Sequence, residues 1–257
     1  MKIKLIALFV LLNLVVNAQS DSTDLIVQRI MKTQKIVGLS LAVIKNGKTV
    51  VNKGYGLANA ELNVPVTSET VIRIGSLSKQ FFTTAILKLQ EDGKLSIEDP
   101  VHKFFPDAPE TWRPIQIKHL MSHTSGLKRE GPAYNNNIIQ PDLVIIKSAY
   151  ALPLDFKTGE KYQYCNLGYY MLAEIIKQVS GKPWQDYIKE KLFVPAGMNN
   201  SGMTDYYPII PNRATVRILT RKPIIQSIPQ TNHTPITQLG SLVLQSIHLA
   251  PGLEGAV

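Results

Sequence analysis

The sequence predicts a mixed α/β fold, because it combines one clear hairpin signal with several segments of helical periodicity. Asn46-Gly47 separates two β-rich runs at 38–45 and 48–55, and this dipeptide favours the left-handed backbone of a tight hairpin turn. The chain of 257 residues is 44% hydrophobic and only 18% charged, which is enough apolar material for a packed core. We therefore expect an antiparallel strand pair together with helices.

Helices are predicted where apolar residues recur every three or four positions. Four segments meet this criterion: 24–34, 76–93, 167–179 and a last helix that begins at Pro183. Gly93 and Ser180-Gly181 are typical helix-ending residues, so they mark the ends of the second and third helices. The segment 115–123 is predicted to be a short helix or a strand leading into a helix.

The N-terminus has the pattern of a secretory signal peptide. Lys2 and Lys4 precede an apolar run from Leu5 to Val16, and Ala18 is a small residue at a suitable cleavage position. We expect cleavage after Ala18, which removes 1–18 and places the product outside the cytoplasm, either secreted or periplasmic. A retained N-terminal anchor is the alternative, although the apolar run is short for a membrane span.

Composition excludes several classes of protein. A single cysteine excludes an internal disulfide framework and a multi-cysteine zinc site, and no apolar run is long enough for a multi-pass membrane protein. The formal net charge is +9, but the positive residues are scattered rather than interleaved with aromatics, so nucleic acid is not an expected partner. His119 and His123 have metal-ligand spacing without a further ligand cluster. We interpret them as a packing and hydrogen-bonding pair, and expect no metal or organic cofactor.

A nucleophile and a base are suggested by Ser76 and Lys79. Residues three apart lie on one face of a helix, so these two side chains can meet. A serine hydroxyl is a weak nucleophile until a neighbour takes its proton, and a partly desolvated lysine can do so. The start of the helix adds backbone N–H groups that favour developing negative charge. Many helices carry this spacing on a solvated face, so it is weak evidence alone.

A second candidate element is Tyr164-Cys165-Asn166. A tyrosine near a lysine ammonium can have a lowered pKa and act as a base. An asparagine can donate to a substrate carbonyl while accepting from the lysine. The alternative for an isolated tyrosine–asparagine pair is a loop hydrogen-bonding motif.

Taken together, these segments resemble the serine β-lactamase and penicillin-binding-protein superfamily, and specifically its class C β-lactamase-like branch of D,D-peptidases and esterases. Four stretches between about 25 and 211 carry the resemblance in the right order: Ile74–Lys79, Leu120–Leu127, Tyr164–Asn166 and Gly168–Met198. The second stretch resembles the family's L-L-x-H-x-S-G-L pattern. Because several specific segments occur in the family's order, chance is an inadequate explanation of the resemblance.

The resemblance implies an antiparallel sheet flanked by helices, a mainly helical region and a site in the cleft between them. The implied reaction is acyl transfer through a seryl ester. In it Ser76 attacks a β-lactam, D-Ala-D-Ala-type peptide or ester carbonyl, Lys79 and Tyr164 share proton transfer, and Asn166 positions the substrate. The backbone N–H of Ser76 contributes to the oxyanion hole. The expected partner is a small-molecule or peptide acyl substrate, with peptidoglycan as a candidate.

The C-terminal part departs from the family pattern. Residues 212–257 contain no Phe, Tyr or Trp, and Glu254 is their only carboxylate. Lys157-Thr158-Gly159 spells the family's third motif, but it precedes Tyr164, whereas that motif is expected far downstream on a strand. We therefore expect a β-lactamase-related domain at 19–211 that is incomplete, with C-terminal strands missing or altered. The hypothesis for the atypical tail at 212–257 is that the reading frame, or the chain itself, is altered after about Ala214.

Three functions compete on this basis. The first is a secreted serine hydrolase. The second is a truncated, catalytically weak relative that binds peptidoglycan-like ligands, and the third is a basic cell-envelope protein with no enzymatic activity. Covalent labelling of Ser76 separates the third from the others, and turnover separates the first from the second.

Overall fold

A computed structural model of the chain describes residues 22–135, 138, 140–204, 209–215 and 241–244. The predicted signal peptide and most of the predicted tail lie outside these residues. These described residues divide into two compact units, one containing 22–70 and 212–215, and one containing those of Val71–Pro211 together with 241–244.

The first unit is built on the predicted hairpin. Strand β1 (Gly38–Lys45) pairs antiparallel with β2 (Lys48–Asn59), which pairs in turn with the two-residue β3 (Val64–Pro65). Asn46 and Gly47 have φ values of 51° and 71°, so both turn residues adopt the left-handed conformation that the sequence predicts. The second strand is four residues longer than predicted, and the start of the predicted tail adds to it, because the Thr215 N–H donates to the Ala58 carbonyl at 2.8 Å.

Helix α1 (22–34) lies in the same unit and is fixed to β2 by polar contacts. The Asp24 carboxylate accepts from Lys53 Nζ at 2.5 Å and from the Tyr55 hydroxyl at 2.7 Å. Val27 is the buried apolar residue of this helix. Other residues that predict the helix point outward and are exposed: Leu25, Ile26 and Ile30. The spacing therefore predicts the helix correctly, although most of its apolar residues do not contribute to the core.

The second unit is mainly helical. Its α-helices are α2 (Lys79–Glu91), α3 (Ile117–Met121), α4 (Asp142–Ser148), α5 (Leu167–Ser180) and α6 (Trp184–Ile188). Three 3-10 turns lie at Gly75–Ser78, Val101–Lys103 and Glu110–Trp112. A small sheet has the order β4-β6-β5, with β4 at Ile72–Arg73, β5 at Gly202–Thr204 and β6 at Ser241–Leu244. Both pairings in this sheet are antiparallel.

Helix α5 forms the centre of the second unit. Its first ten residues, Leu167 to Ile176, are all buried, as expected for a helix that packs against neighbours on every side. Helix α2 packs against it through Phe82, Ala85, Ile86 and Leu89, whose side chains are fully buried. Burying each large apolar side chain contributes about 1.5–3 kcal/mol, so this helix pair is a major source of stability for the elements that carry the site.

The last predicted helix is divided in two. Helix α6 begins directly after Pro183 as predicted, but at Lys189–Phe193 the backbone continues as one π-helical turn. Such a turn inserts an extra residue into the helix. As a result Phe193 remains buried and packs edge-to-face on Phe81, with ring centroids 5.1 Å apart. None of the helices in the part of the chain that the structure describes is long and apolar enough to span a membrane.

Candidate active site

The centre of the site is a tight turn that leads into α2. Gly75 has φ of +53°, a left-handed conformation that favours glycine, and it opens the 3-10 turn containing Ser76. Ser76 is exposed, whereas Lys79, the first residue of α2, is buried. Lys79 Nζ donates to Ser76 Oγ at 3.4 Å. The pair that the sequence predicts from its spacing therefore meets in space.

Tyr164 and Asn166 approach the same serine from the start of α5. Asn166 is the residue that precedes this helix, and its N–H donates to the Arg129 carbonyl at 2.9 Å. Its side-chain Oδ1 accepts from Lys79 Nζ at 3.0 Å. The Tyr164 hydroxyl donates to Ser76 Oγ at 2.6 Å. The structure therefore brings all four predicted site residues into one connected hydrogen-bond network.

The environment of Lys79 favours its neutral form more than water would. Burial lowers the pKa of its ammonium group, and the positive charge of Arg129 acts in the same direction, while the contact with Tyr164 opposes them. The Nζ atom lies 4.8 Å from the centre of the Tyr164 ring and 5.1 Å from that of Tyr169. A lysine with a lowered pKa is better able to accept a proton from a serine.

Three neighbours of the site are not among the predicted residues. Asn166 Nδ2 donates to Glu130 Oε1 at 3.0 Å, so a carboxylate and an ammonium hold the two ends of one amide. The Arg129 guanidinium lies 5.4 Å from the Tyr164 ring centre. The Tyr169 hydroxyl donates to the Met121 carbonyl at 3.0 Å. Nothing in the local sequence marks Glu130, because an acid beside an arginine is typical of a solvated surface pair.

Cys165 points away from the reacting groups. Its Sγ donates to the Lys128 carbonyl at 3.2 Å and accepts from the Gly168 N–H at 3.4 Å. Burial raises the pKa of the thiol to about 11, so it is neutral at ordinary pH. The residue packs as a small buried side chain between the two polar members of the motif.

The remaining sequence motifs have structural contacts. His119 Nδ1 accepts the Gln116 N–H at 3.1 Å and His123 Nδ1 accepts the Cys165 N–H at 3.1 Å, so each histidine holds a backbone group. Within the described residues no group of three or more His, Cys, Asp or Glu side chains could hold a metal ion. Lys157-Thr158-Gly159 lies in a turn, not on a strand, and the Thr158 hydroxyl donates to the Ser125 carbonyl at 2.9 Å.

Comparison with known proteins decides the family. The family model described as Beta-lactamase matches residues 23–238. The chain belongs to the Beta-lactamase family. This family member is 36% identical over 182 residues to the putative penicillin-binding protein PbpX of Bacillus subtilis, a match that covers 70% of this chain and 45% of that protein. The resemblance stated from its motifs is therefore confirmed.

Solved structures confirm the fold class. The octameric penicillin-binding protein homologue from Pyrococcus abyssi matches with a TM-score of 0.69 and 31% identity, covering 88% of this chain and 53% of that one. A class C β-lactamase matches with a TM-score of 0.72 and 26% identity, covering 88% and 62%. These neighbours support the predicted antiparallel sheet, flanking helices and helical region. This Beta-lactamase family member spans less than half the length of PbpX.

Proposed function

We propose that this chain is a serine hydrolase that acts by acyl transfer through a seryl ester. The observation that carries the proposal is the position of Ser76 Oγ, which lies 2.6 Å from the Tyr164 hydroxyl and 3.4 Å from Lys79 Nζ. An exposed serine held between two groups that can exchange protons is the arrangement that nucleophilic catalysis requires. The proposed substrates are β-lactams, D-Ala-D-Ala-type peptides and esters.

In the acylation step, Ser76 Oγ attacks the substrate carbonyl carbon and its proton passes to Lys79 or Tyr164. The new C–O bond gives a tetrahedral intermediate whose negative oxygen is stabilised by the Ser76 N–H, at the start of the 3-10 turn where backbone N–H groups lack helical partners. The scissile C–N or C–O bond then breaks. The leaving group takes a proton from Tyr164 or Lys79, and an acyl-Ser76 ester remains.

In the second step, water attacks the ester carbonyl and gives a proton to the same pair. The bond between the acyl carbon and Ser76 Oγ then breaks, Ser76 regains that proton from the pair, and the acyl group leaves as a carboxylic acid. Asn166 supports both steps, because its Oδ1 accepts a hydrogen bond from Lys79 Nζ at 3.0 Å, which the lysine can donate in its charged and its neutral form. We assign it substrate positioning as well. The Oδ1 atom of an asparagine can accept from a lysine while its Nδ2 donates to a substrate carbonyl.

The names of similar proteins support the substrate classes. PbpX is named a putative penicillin-binding protein, and the structural neighbour is a class C β-lactamase. Both names point to β-lactams, which present a strained amide to a nucleophilic serine. A fluorescent penicillin is therefore the first probe to use, and a fluorophosphonate detects an activated serine whatever the preferred acyl group.

The test is covalent labelling followed by intact-mass measurement. We expect one equivalent of penicillin on the native chain and none on Ser76→Ala. Ser78→Ala is the matched control, because this buried serine lies two residues away on the same turn and should leave labelling unchanged. Equal labelling of Ser76→Ala and the native chain would overturn the assignment of the nucleophile.

Two further variants separate the roles of the proton-transfer groups. Lys79→Ala should slow acylation strongly, because the serine loses its buried neighbour. Tyr164→Phe should retain some acylation but impair proton delivery to the leaving group. Hydrolysis of nitrocefin or a p-nitrophenyl ester then measures turnover, and labelling without turnover would show a protein that is acylated by its ligand rather than an efficient hydrolase.

We also propose that the protein is exported. Its support is the N-terminal pattern of two lysines, an apolar run and Ala18. N-terminal sequencing of the native product should begin at Gln19 or within a few residues of it. Cytoplasmic material that retains Met1 would contradict export.

A further inference from the structure

His123 has an unusual backbone for a buried residue. It follows the short helix α3 with φ of +59°, a left-handed conformation that costs free energy for most residues with a side chain. The residue is only 9% exposed. A strained and buried polar residue beside the candidate site has to be held by several contacts.

Those contacts surround Tyr164. The His123 carbonyl accepts the Gln163 N–H at 2.9 Å, and its ring Nδ1 accepts the Cys165 N–H at 3.1 Å. One residue therefore fixes the backbone on both sides of Tyr164. The imidazole also lies against the Tyr164 ring, with centroids 4.7 Å apart and planes tilted by 35°.

We propose that His123 is a positioning residue whose neutral ring holds the Tyr164 hydroxyl against Ser76, and that protonation of the ring weakens this hold. The inference rests on the proposed function, in which Tyr164 shares proton transfer with Lys79. It differs from a plain packing role, because packing requires only the shape of the ring, whereas positioning requires an unprotonated Nδ1.

The hydrogen bond determines which form of the ring is needed. A nitrogen that accepts an N–H bond carries no proton, so the neutral ring holds its proton on Nε2. Adding a second proton places it on Nδ1, where it opposes the Cys165 N–H. Protonation therefore removes one of the two backbone contacts that fix Tyr164 and leaves the bond to the His123 carbonyl.

The surroundings disfavour the charged ring. Burial lowers the pKa of His123 below its ordinary 6.5, and the nearby Lys79 charge acts in the same direction. The bond that Nδ1 accepts from the Cys165 N–H is made only by the unprotonated ring, so it favours the neutral form as well. Besides Tyr164, the rings of Tyr169 and Tyr162 face the imidazole at 5.2 and 5.6 Å. The ring is thus neutral at pH 7. The contact to Cys165 is lost as the pH falls through the lowered pKa of the ring, which lies below 6.5.

The first measurement follows the contact itself. Cys165 is the single cysteine, so the full chain labelled with ¹⁵N-cysteine gives one backbone amide resonance. We expect this resonance to titrate below pH 6.5 in the native chain and in the control His119→Asn. It should lose that titration in His123→Asn, because Asn tolerates left-handed backbone and its Oδ1 replaces Nδ1 without titrating. An unchanged resonance in the native chain while the His123 ring protonates would overturn the inference.

The second measurement is the pH dependence of acylation by a fluorescent penicillin. In the native chain and in His119→Asn, the acylation rate should fall as the pH is lowered, with the same midpoint as the amide titration. This fall should be absent from His123→Asn. His123→Phe keeps a ring without an acceptor and should acylate roughly 10–100-fold more slowly at every pH. A native-like pH profile for His123→Asn would refute the positioning role.

The two proposals fail in different ways. If the native chain takes no label, the proposed function is wrong, and the amide titration still decides whether His123 holds Cys165. If the native chain is labelled but the amide does not titrate with His123, the proposed function stands and the positioning role falls. Thermal unfolding followed by circular dichroism shows whether His123→Phe folds, and the Asn variant carries the test if it does not.

Discussion

The buried contact between Lys79 and Asn166 allows a quantitative test of the site. Asn166→Leu replaces the amide by an apolar group of similar size and leaves the Lys79 ammonium without its 3.0 Å acceptor. Both side chains are almost fully buried, at 7% and 1% exposure, so water does not readily replace the lost partner. A hydrogen bond to a charged group contributes about 1.5–3 kcal/mol.

This free energy sets the expected fall in melting temperature. One kcal/mol shifts Tm by about 2–4 °C in a protein of 150–250 residues, so Asn166→Leu should lower Tm by about 3–12 °C. The second contact of the amide adds little, because the Glu130 side chain is 28% exposed and water can reach it. Thermal unfolding followed by circular dichroism at pH 7 measures the change.

A double-mutant cycle isolates the pair. Lys79→Met removes the charge while keeping the length of the side chain, and its own effect combines a lost hydrogen bond with relief from burying an ammonium group. The cycle of native chain, Lys79→Met, Asn166→Leu and the double variant cancels that ambiguity. We expect a coupling free energy of about 1.5–3 kcal/mol. A coupling below about 0.5 kcal/mol would show that the two groups do not depend on each other.

Three further predictions follow from individual contacts. Cys165→Ser should acylate within a few-fold of the native rate, and loss of penicillin labelling in a folded variant would implicate the thiol. The native thiol should resist a thiol reagent at pH 8, since the residue is buried and burial raises its pKa to about 11. Gly126→Ala should lower the free energy of unfolding in urea by at least about 2 kcal/mol, because φ is +82° and the new Cβ would lie 2.2 Å from the Phe156 carbonyl oxygen. The control Gly47→Ala, with φ of +71° and open space around the Cβ, should lower it by about 1 kcal/mol, and equal losses would contradict this. Burial raises the pKa of Asp142 from 3.8 to about 6, so the stability of the native chain falls as the pH rises between these values. In urea unfolding, the free energy of unfolding of Asp142→Asn should exceed that of the native chain by on the order of 1–2 kcal/mol at pH 7.5, and the two should be equal below pH 4.

The sequence predicts local elements and local pairs best. Asn46-Gly47 predicts the hairpin because a two-residue turn imposes strict backbone angles, and Ser76 and Lys79 meet because three residues make nearly one helical turn. The two-residue strands β3 and β4 and the three-residue β5 carry no alternation that a sequence reading could detect. Their pairing depends on distant segments.

Contacts between residues far apart in sequence were predicted from the family resemblance and not from local residue spacing. Tyr164 lies 88 residues after Ser76, and no local rule places its hydroxyl 2.6 Å from the serine. Glu130 was missed for the same reason, since its role depends on the amide of Asn166 and not on its neighbours in sequence. The π-helical turn at Lys189–Phe193 was also missed, because an apolar pattern fits one inserted residue as readily as a regular helix.

The unequal burial around the site has a consequence for engineering it. Lys79 and Asn166 stand at the starts of α2 and α5, the two helices that share the core, so changing either one disturbs stability and chemistry together. The turn that precedes Tyr164 is largely exposed, and substitutions at exposed positions usually change stability by less than about 0.5 kcal/mol. A library that varies the surroundings of this site should therefore randomise exposed positions such as Lys157, Glu160 and Lys161 and leave the helix starts fixed. Most members of such a library should still fold.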